Sequence, residues 1–296
     1  MKRFLMYILR WFLILLVLLY VLDALYTWVY KNALPRTKVS YLLSIQEEKI
    51  DYVFLGSSRT NNFIDSKIIT EITGKKALNL GIQGAKMDDY YLMLQLLKKQ
   101  RINTDLIFVQ IDDVFNMRGS SDLVKSSLMP YIQDSLIARY VRERDSDFWK
   151  LKHLPFYRYM VYDYKLGFRE FFSNLIQKKP RVDLSNGYAP KYGTVEDLKA
   201  KLPKQIASKN DVVKAMRSFA KKNNTQLIFF TSPYCGHTKN LFFIDSLQEK
   251  ISPLMNYAEI FAHDDQYFYN CTHLNNKGAQ VFSKRIAEDI VSKYQN

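Results

Sequence analysis

The hydrophobic pattern of this chain changes character three times. Up to residue 30 it is nearly continuous. Trp11 to Leu22 carries no charge, Asp23 interrupts, and Ala24 to Tyr30 continues mainly apolar or aromatic. Residues 11–30 thus match the ~20 residues that a bilayer crossing needs. Lys2, Arg3 and Arg10 precede the run, and Lys31, Arg36 and Lys38 follow it. No small-x-small cleavage site closes the segment, so residues 1–34 predict an uncleaved signal anchor. Trp11, Tyr20, Tyr26, Trp28 and Tyr30 suit interfacial positions. The tight basic cluster at the start predicts a cytoplasmic N-terminus and a main domain, residues 35–296, outside the cell membrane. The competing reading is a buried amphipathic helix of a soluble protein.

Beyond the anchor, short apolar runs alternate with helical periodicity. Asp51–Leu55, Lys75–Leu80, Asp105–Ile111 and Leu227–Phe230 read as strands, with Tyr257–Phe261 a weaker fifth. Tyr90, Tyr91, Leu94 and Leu97 mark one helix within Asp88 to Lys99. Val212, Val213, Met216 and Phe219 mark a second, Asn210–Asn223. A last helix from about Asn276 to Lys293 carries Val281, Phe282, Ile286, Ile290 and Val291. Strands that alternate with helices predict a three-layer α/β/α fold with about five parallel strands. Residues 118–203 break the alternation. They are aromatic, basic and irregular, and they predict an insertion, partly helical, that covers the strand ends.

Composition narrows the partners. Hydrophobic residues make up 48% of the 296 and charged residues 24%, a globular balance. The net charge of +14 points to nucleic acid, an anionic membrane or an anionic polymer. No nucleic-acid motif accompanies it, and the anchor favours a membrane surface. Aromatic residues at 15% suit work beside a membrane or stacking on sugars, and equally an ordinary aromatic core.

In a parallel sheet, ligands bind beyond the carboxyl ends of the strands. The residues found there are Gly56-Ser57-Ser58-Arg59, then Asn79 to Gly84, then Asp112 to Asn116, then Thr231 to Cys235, then Asn270-Cys271-Thr272-His273. A serine, glycine-borne N–H groups and a histidine make up the inventory of acyl transfer. Serine is a poor nucleophile until a base takes its proton, and histidine titrates in the right range. The start of the helix after Ser58 would add positive potential where an oxyanion forms. Ser58 is thus the candidate nucleophile and His273 the candidate base, with Ser57 the alternative nucleophile. A serine at this point can also be a plain helix N-cap. Asp112 and Asp113 could act as paired acid and base or as metal ligands, and more commonly would bind a neighbouring Arg or Lys. His153, His237 and His263 lie in less patterned settings. No residues have metal-ligand spacing, and no cofactor is implied.

These blocks resemble the SGNH, or GDSL-like, hydrolase and acyltransferase superfamily, over roughly residues 50–117 and 205–293. The Gly-Asp-Ser block of that superfamily is here Gly56-Ser57-Ser58, its oxyanion glycine after an Asn is Gly84 after Asn79, and its Asp-x-x-His is Asn270-Cys271-Thr272-His273. The resemblance implies a flavodoxin-like α/β/α domain in which Ser58 is the nucleophile and His273 the base. It implies an oxyanion hole made by the N–H groups of Ser58 and Gly84, with Asn270 orienting His273. Arg59, Asn79, Asp112 and Asn116 are further contributors, although Asn116 lies two residues late for the superfamily's third block. Asn270 stands where the superfamily has an acid, and Asp264 or Asp265 could substitute for it. The Gly-Ser-Ser opening with a membrane anchor is similar to proteins that modify exported polysaccharides or teichoic acids, often beside a membrane-bound O-acyltransferase. The implied activity is O-acyl transfer or ester removal on a cell-surface glycan or anionic polymer. The alternatives are a catalytically weakened binding or scaffold protein at the membrane surface, and a lipase or thioesterase with an apolar tunnel beside Ser58. In that fold Cys235 and Cys271 reach the same sheet edge, where a disulfide would staple the His loop.

Overall fold

The computed structural model describes residues 1–195 and 199–295. In chain order the elements include α1 (Lys2–Asn32), β1 (Tyr52–Leu55), α2 (Ser58–Phe63), α3 (Ser66–Thr73), β2 (Ala77–Asn79), α4 (Met87–Lys99) and β3 (Leu106–Gln110). A run of short helices follows, including α5 (Phe148–His153), α6 (Tyr157–Val161) and α7 (Phe168–Leu175). The chain continues with α8 (Asp211–Lys222), β4 (Gln226–Phe230), β5 (Leu254–Met255), β6 (Phe268–Asn270), β7 (His273–Leu274) and α9 (Asn276–Tyr294). These elements gather into two compact units. One comprises Met1–Ser40 and Asp122–Pro180, the other Tyr41–Ser121 and Arg181–Asn296.

The second unit is a three-layer α/β/α domain. Its main sheet has five strands, all parallel, in the order β2-β1-β3-β4-β5. Val53 pairs with Leu78 on one side and Ile107 on the other, and Phe108 pairs with Ile228. β1 and β3 are buried at every residue, as uninterrupted apolar runs require when helices cover both faces of a sheet. On one face Phe63 and Ile69 pack with Phe282, Ile286 and Ile290 of α9, against Tyr52, Phe54 and Phe108. On the other, α4 packs beside α8, where the rings of Tyr91 and Phe219 meet edge to face at 5.9 Å. Caps fix two helix starts: the Asn210 side chain accepts from Val212 N and Val213 N, and that of Asn275 from Gly278 N.

The fifth strand is not Tyr257–Phe261, as its apolar pattern suggests, but Leu254–Met255. Thr231 N donates to Met255 O, and then the ladder stops. Thr231 Oγ1 accepts from Tyr257 N, and Asn256 Oδ1 from Ala258 N. Tyr257, Ala258 and Phe261 are buried, so their apolar character reflects packing of a turn rather than strand pairing. The Asn270–His273 stretch does not follow the fifth strand directly. It forms the tip of the β6–β7 hairpin, antiparallel and with a register shift between Phe268 and Asn270.

The first unit is helical. The most apolar 18-residue window of α1 has a mean hydropathy of 2.5, and none of it is buried within the structure, so α1 is long and apolar enough to span a membrane. Its last turns, with Tyr26, Val29 and Tyr30, pack against the short helices. The ring of Tyr26 stacks on Phe171 at 4.1 Å between centroids, and that of Tyr30 on Tyr159 at 6.0 Å.

Candidate active site

β1 ends at Leu55, and Gly56 lets the chain turn tightly. A Cβ there would overlap the Thr60 side chain and press on Gln110 Cβ. Ser57 then adopts an extended backbone and caps α2, its Oγ accepting from Arg59 N at 3.4 Å. Ser57 is also held from below. Gln110, the last residue of β3, accepts at Oε1 from Ser57 N and Ser57 Oγ, both at 2.9 Å, and from Tyr90 Oη at 3.2 Å. Capping therefore falls to Ser57, and Ser58, the first helical residue, has its hydroxyl free to point elsewhere.

It points at His273. Ser58 Oγ lies 2.9 Å from His273 Nε2. The rest of the ring's environment sets the proton positions. Asn270 Oδ1 accepts from Thr272 N at 3.1 Å and from the Thr272 hydroxyl at 3.0 Å, so the atom facing the ring is the amide oxygen. That oxygen lies 3.2 Å from His273 Nδ1, and Thr272 Oγ1, whose proton is already given to Asn270, lies 3.1 Å from it. Two acceptors therefore face Nδ1, which must carry the hydrogen. Nε2 is left with its lone pair toward the serine. Burial, then the charges of Arg59 and Lys191, push His273 down to about 4. Asp265 does not reach His273: its carboxylate lies 3.1 Å from His237 Nε2 on the exposed surface.

The serine and histidine open on a cavity of about 250 Å³. Gly84, Asp113, Lys201 and Thr272 share its wall with apolar Val114 and Leu202. Gly84 has φ +70°, the left-handed region that glycine enters without a steric cost. Among the described residues, neither Ser58 N–H nor Gly84 N–H donates to another backbone or side-chain group. Asp113 is raised to about 7 by burial and by the neighbouring charge of Asp112. No cluster of three His, Cys, Asp or Glu side chains among the described residues is arranged to hold a metal ion.

The remaining sequence candidates divide by position. Arg59 is buried, with its guanidinium 3.6 Å above the Tyr234 ring, and it pairs with Asp112. Its second nitrogen donates to Ser232 O at 2.8 Å and Pro233 O at 2.6 Å. Asp112 thus stands behind the cavity as a partner for Arg59, and its neighbour Asp113 reaches the wall. Asn79 is wholly buried. Its Nδ2 donates to Thr60 O and Ile64 O, each at 2.7 Å, and its Oδ1 accepts from Gly81 N at 2.9 Å. It ties α2 to the loop that carries Gly84 and does not line the cavity. Asn116 lies away from the cavity as well. Its amide donates to Gln205 O and accepts from Ala207 N, each at 2.8 Å, which pins a loop. Cys235 and Cys271 are joined in a disulfide, which fixes the β6–β7 hairpin two residues before His273. Thr272, Gln110 and Lys201 were not singled out in the sequence. Thr272 sits inside the histidine motif and offered the only signal of the three.

No family model matches the chain, and no curated protein does. The solved structures that are similar at low scores include these two. One, from Streptococcus pneumonia and described as a platelet activating factor, is 12% identical over 98% of this chain and 99% of that one, with a TM-score of 0.29. The other, described as a gut microbial diltiazem-metabolizing enzyme, is 15% identical over 82% of this chain and 47% of that one, with a TM-score of 0.27. The site stands on its own geometry.

Proposed function

We propose that the chain is an SGNH-type serine enzyme of ester chemistry, anchored at the membrane by α1 with its catalytic unit outside. The observation that carries this is the 2.9 Å approach of Ser58 Oγ to a His273 nitrogen whose lone pair is directed by Asn270 and Thr272. In the first half-reaction Ser58 Oγ bonds to the acyl carbon of an ester as its proton passes to His273 Nε2. The oxyanion takes hydrogen bonds from the N–H groups of Ser58 and Gly84. The C–O bond of the ester then breaks, and His273 returns the proton to the departing alkoxide. In the second half-reaction a water or a glycan hydroxyl gives its proton to His273 and bonds to the acyl carbon, and the bond from that carbon to Ser58 Oγ breaks as His273 returns the proton to Oγ. Water yields an esterase and a glycan hydroxyl a transferase.

The cavity supports a short acyl group. At about 250 Å³ it is below the ~300–1,000 Å³ common for drug-sized ligands. Its wall mixes Asp113 and Lys201 with apolar residues, unlike the apolar tunnel that a lipase or thioesterase needs. The net charge of +14 suits a cell-surface glycan or anionic polymer as acceptor. A membrane-bound O-acyltransferase is the partner class that would supply acyl groups at the same surface. A second reading, a weakened enzyme kept as a binding module, is favoured by one residue: Asn270 stands where a carboxylate would stabilise the imidazolium. Turnover of p-nitrophenyl acetate by the full chain in detergent separates the two. Ser58→Ala and His273→Ala are each expected to lower kcat/KM by about 10³-fold or more. Wild-type turnover no faster than that of both variants would favour the binding module.

A further inference from the structure

α1 carries two charges within its apolar length, and the structure treats them differently. Arg10 is exposed and makes no hydrogen bond or ion pair with a described residue. Asp23 is covered. Its carboxylate accepts from Arg158 Nη2 at 2.6 Å and from Phe156 N at 2.9 Å. Arg158 also donates to Thr27 Oγ1 at 2.9 Å, and Thr27 Oγ1 lies 2.7 Å from Tyr159 Oη. An unpaired arginine belongs at the headgroups, whereas a neutralised and hydrogen-bonded aspartate can lie deeper.

Length then decides where the bilayer lies. From Trp11 to Leu22 the uncharged run rises only about 18 Å, short of the ~30 Å hydrocarbon core. A crossing that starts at Arg10 continues to about Tyr30. Asp23, Tyr26 and Thr27 then lie inside the second leaflet, and the helices packed on them lie there too. Those helices are suited to it. On α7, Phe171 and Asn174 are buried, while Phe168 and Phe172 are 71% and 50% exposed. Ile176, one turn on, is 55% exposed, so an apolar stripe at i, i+4 and i+8 faces outward. Met160 of α6 adds 61% exposure. Apolar faces of this kind on adjoining helices mark an interaction surface. Arg169 on α7, and Lys165, Lys178 and Lys179 beside it in sequence, can reach headgroup phosphates.

We infer that α6 and α7 form a collar on the C-terminal third of α1 that is embedded in the lipid of one leaflet. The Asp23–Arg158 pair is the buried polar joint of that collar. The occupant of the outward apolar face is acyl chain, because the helices that carry it pack on the same segment of α1 that crosses the bilayer. This inference rests on α1 crossing the bilayer and is separate from the ester chemistry.

Tryptophan quenching by lipids brominated on their acyl chains tests it in the full chain, reconstituted in vesicles of phosphatidylcholine and phosphatidylglycerol. In a background of Trp11→Phe, Trp28→Phe and Trp149→Phe, single probes are placed by Phe168→Trp, Phe172→Trp and, as the span control, Leu16→Trp. All three probes are expected to lose most of their emission in brominated vesicles. Quenching of Leu16→Trp alone would overturn the collar and keep the anchor; the apolar face would then belong to water or to a protein. Quenching of none would overturn the anchor and the collar together.

Discussion

His273 works against an amide rather than a carboxylate, and this fixes how its chemistry responds to acid. Pushed down to about 4 by burial and by Arg59 and Lys191, it holds its base form through the neutral range. Ester turnover is expected to rise with pH through about 4 and to stay level to neutrality. Asn270→Asp places a negative charge at Nδ1–H, so the acid limb should move upward toward the ordinary histidine value, and kcat should rise by ~10-fold or more as the imidazolium is stabilised. A pH–rate profile of the two proteins checks both. Stability follows the same protons. A histidine depressed from 6.5 to about 4 contributes stability that is full above 6.5 and is lost as pH falls through 4. Asp113 acts in the opposite sense. Raised from 3.8 to about 7, its contribution is full below 3.8 and is lost as pH rises through 7. Asp113→Asn should therefore gain in melting temperature over the parent as pH rises from 4 to 8, which thermal denaturation reads directly. Ser58 and His273 were legible in the sequence because each sits in a compact motif at a strand end or hairpin. The acceptors that set the tautomer, and the split between Asp112 and Asp113, were not. They depend on which neighbour turns inward, and adjacent residues carry no mark of that.

At the scale of elements, the loops beyond the strands are held by two cross-links. Arg59 on α2 reaches Asp112 after β3 and the carbonyls after β4, with side chains only 6% and 1% exposed. Removing one member of such a pair leaves the other charge buried and unmatched. Arg59→Met is expected to cost about 3–5 kcal/mol in urea denaturation, and Asp112→Leu in the same chain to recover most of it. The disulfide closes a separation of 36 residues, for which loop entropy gives about 4 kcal/mol. Cys235→Ser with Cys271→Ser should lower stability by that order and slow acylation of Ser58, because the hairpin that carries His273 loses its tether. Four strands and the long helices were readable from periodicity, since a buried parallel strand has to be apolar at every position. The fifth was misplaced because Tyr257 to Phe261 is buried as a turn, and burial alone does not distinguish a turn from a strand.

Across the whole molecule, the chain leaves one compact unit at residue 40, returns at 122 and leaves again at 180. Residues 118–203 were visible in the sequence as a break in the alternation, yet nothing in their composition showed that 122–180 join α1 in a unit. That association rests on aromatic stacking and on the Asp23–Arg158 pair, which link positions more than 130 residues apart. It has a consequence for any attempt to release the second unit without α1. A chain starting at residue 35 keeps Phe156, Tyr159 and Phe171 but loses Tyr26 and Tyr30, their partners. It should remain detergent-dependent or aggregate, which size-exclusion chromatography reports. A monodisperse monomer in plain buffer would show that α1 is a simple tether.

The central claim is that Ser58 is a nucleophile activated by His273. Its most direct measurement is covalent labelling of the purified full chain with a fluorophosphonate, followed by peptide mapping in a mass spectrometer. One adduct is expected, on Ser58, absent from Ser58→Ala and strongly slowed in His273→Ala. An adduct mapping to Ser57, or no adduct on a folded chain with the disulfide intact, would contradict the account.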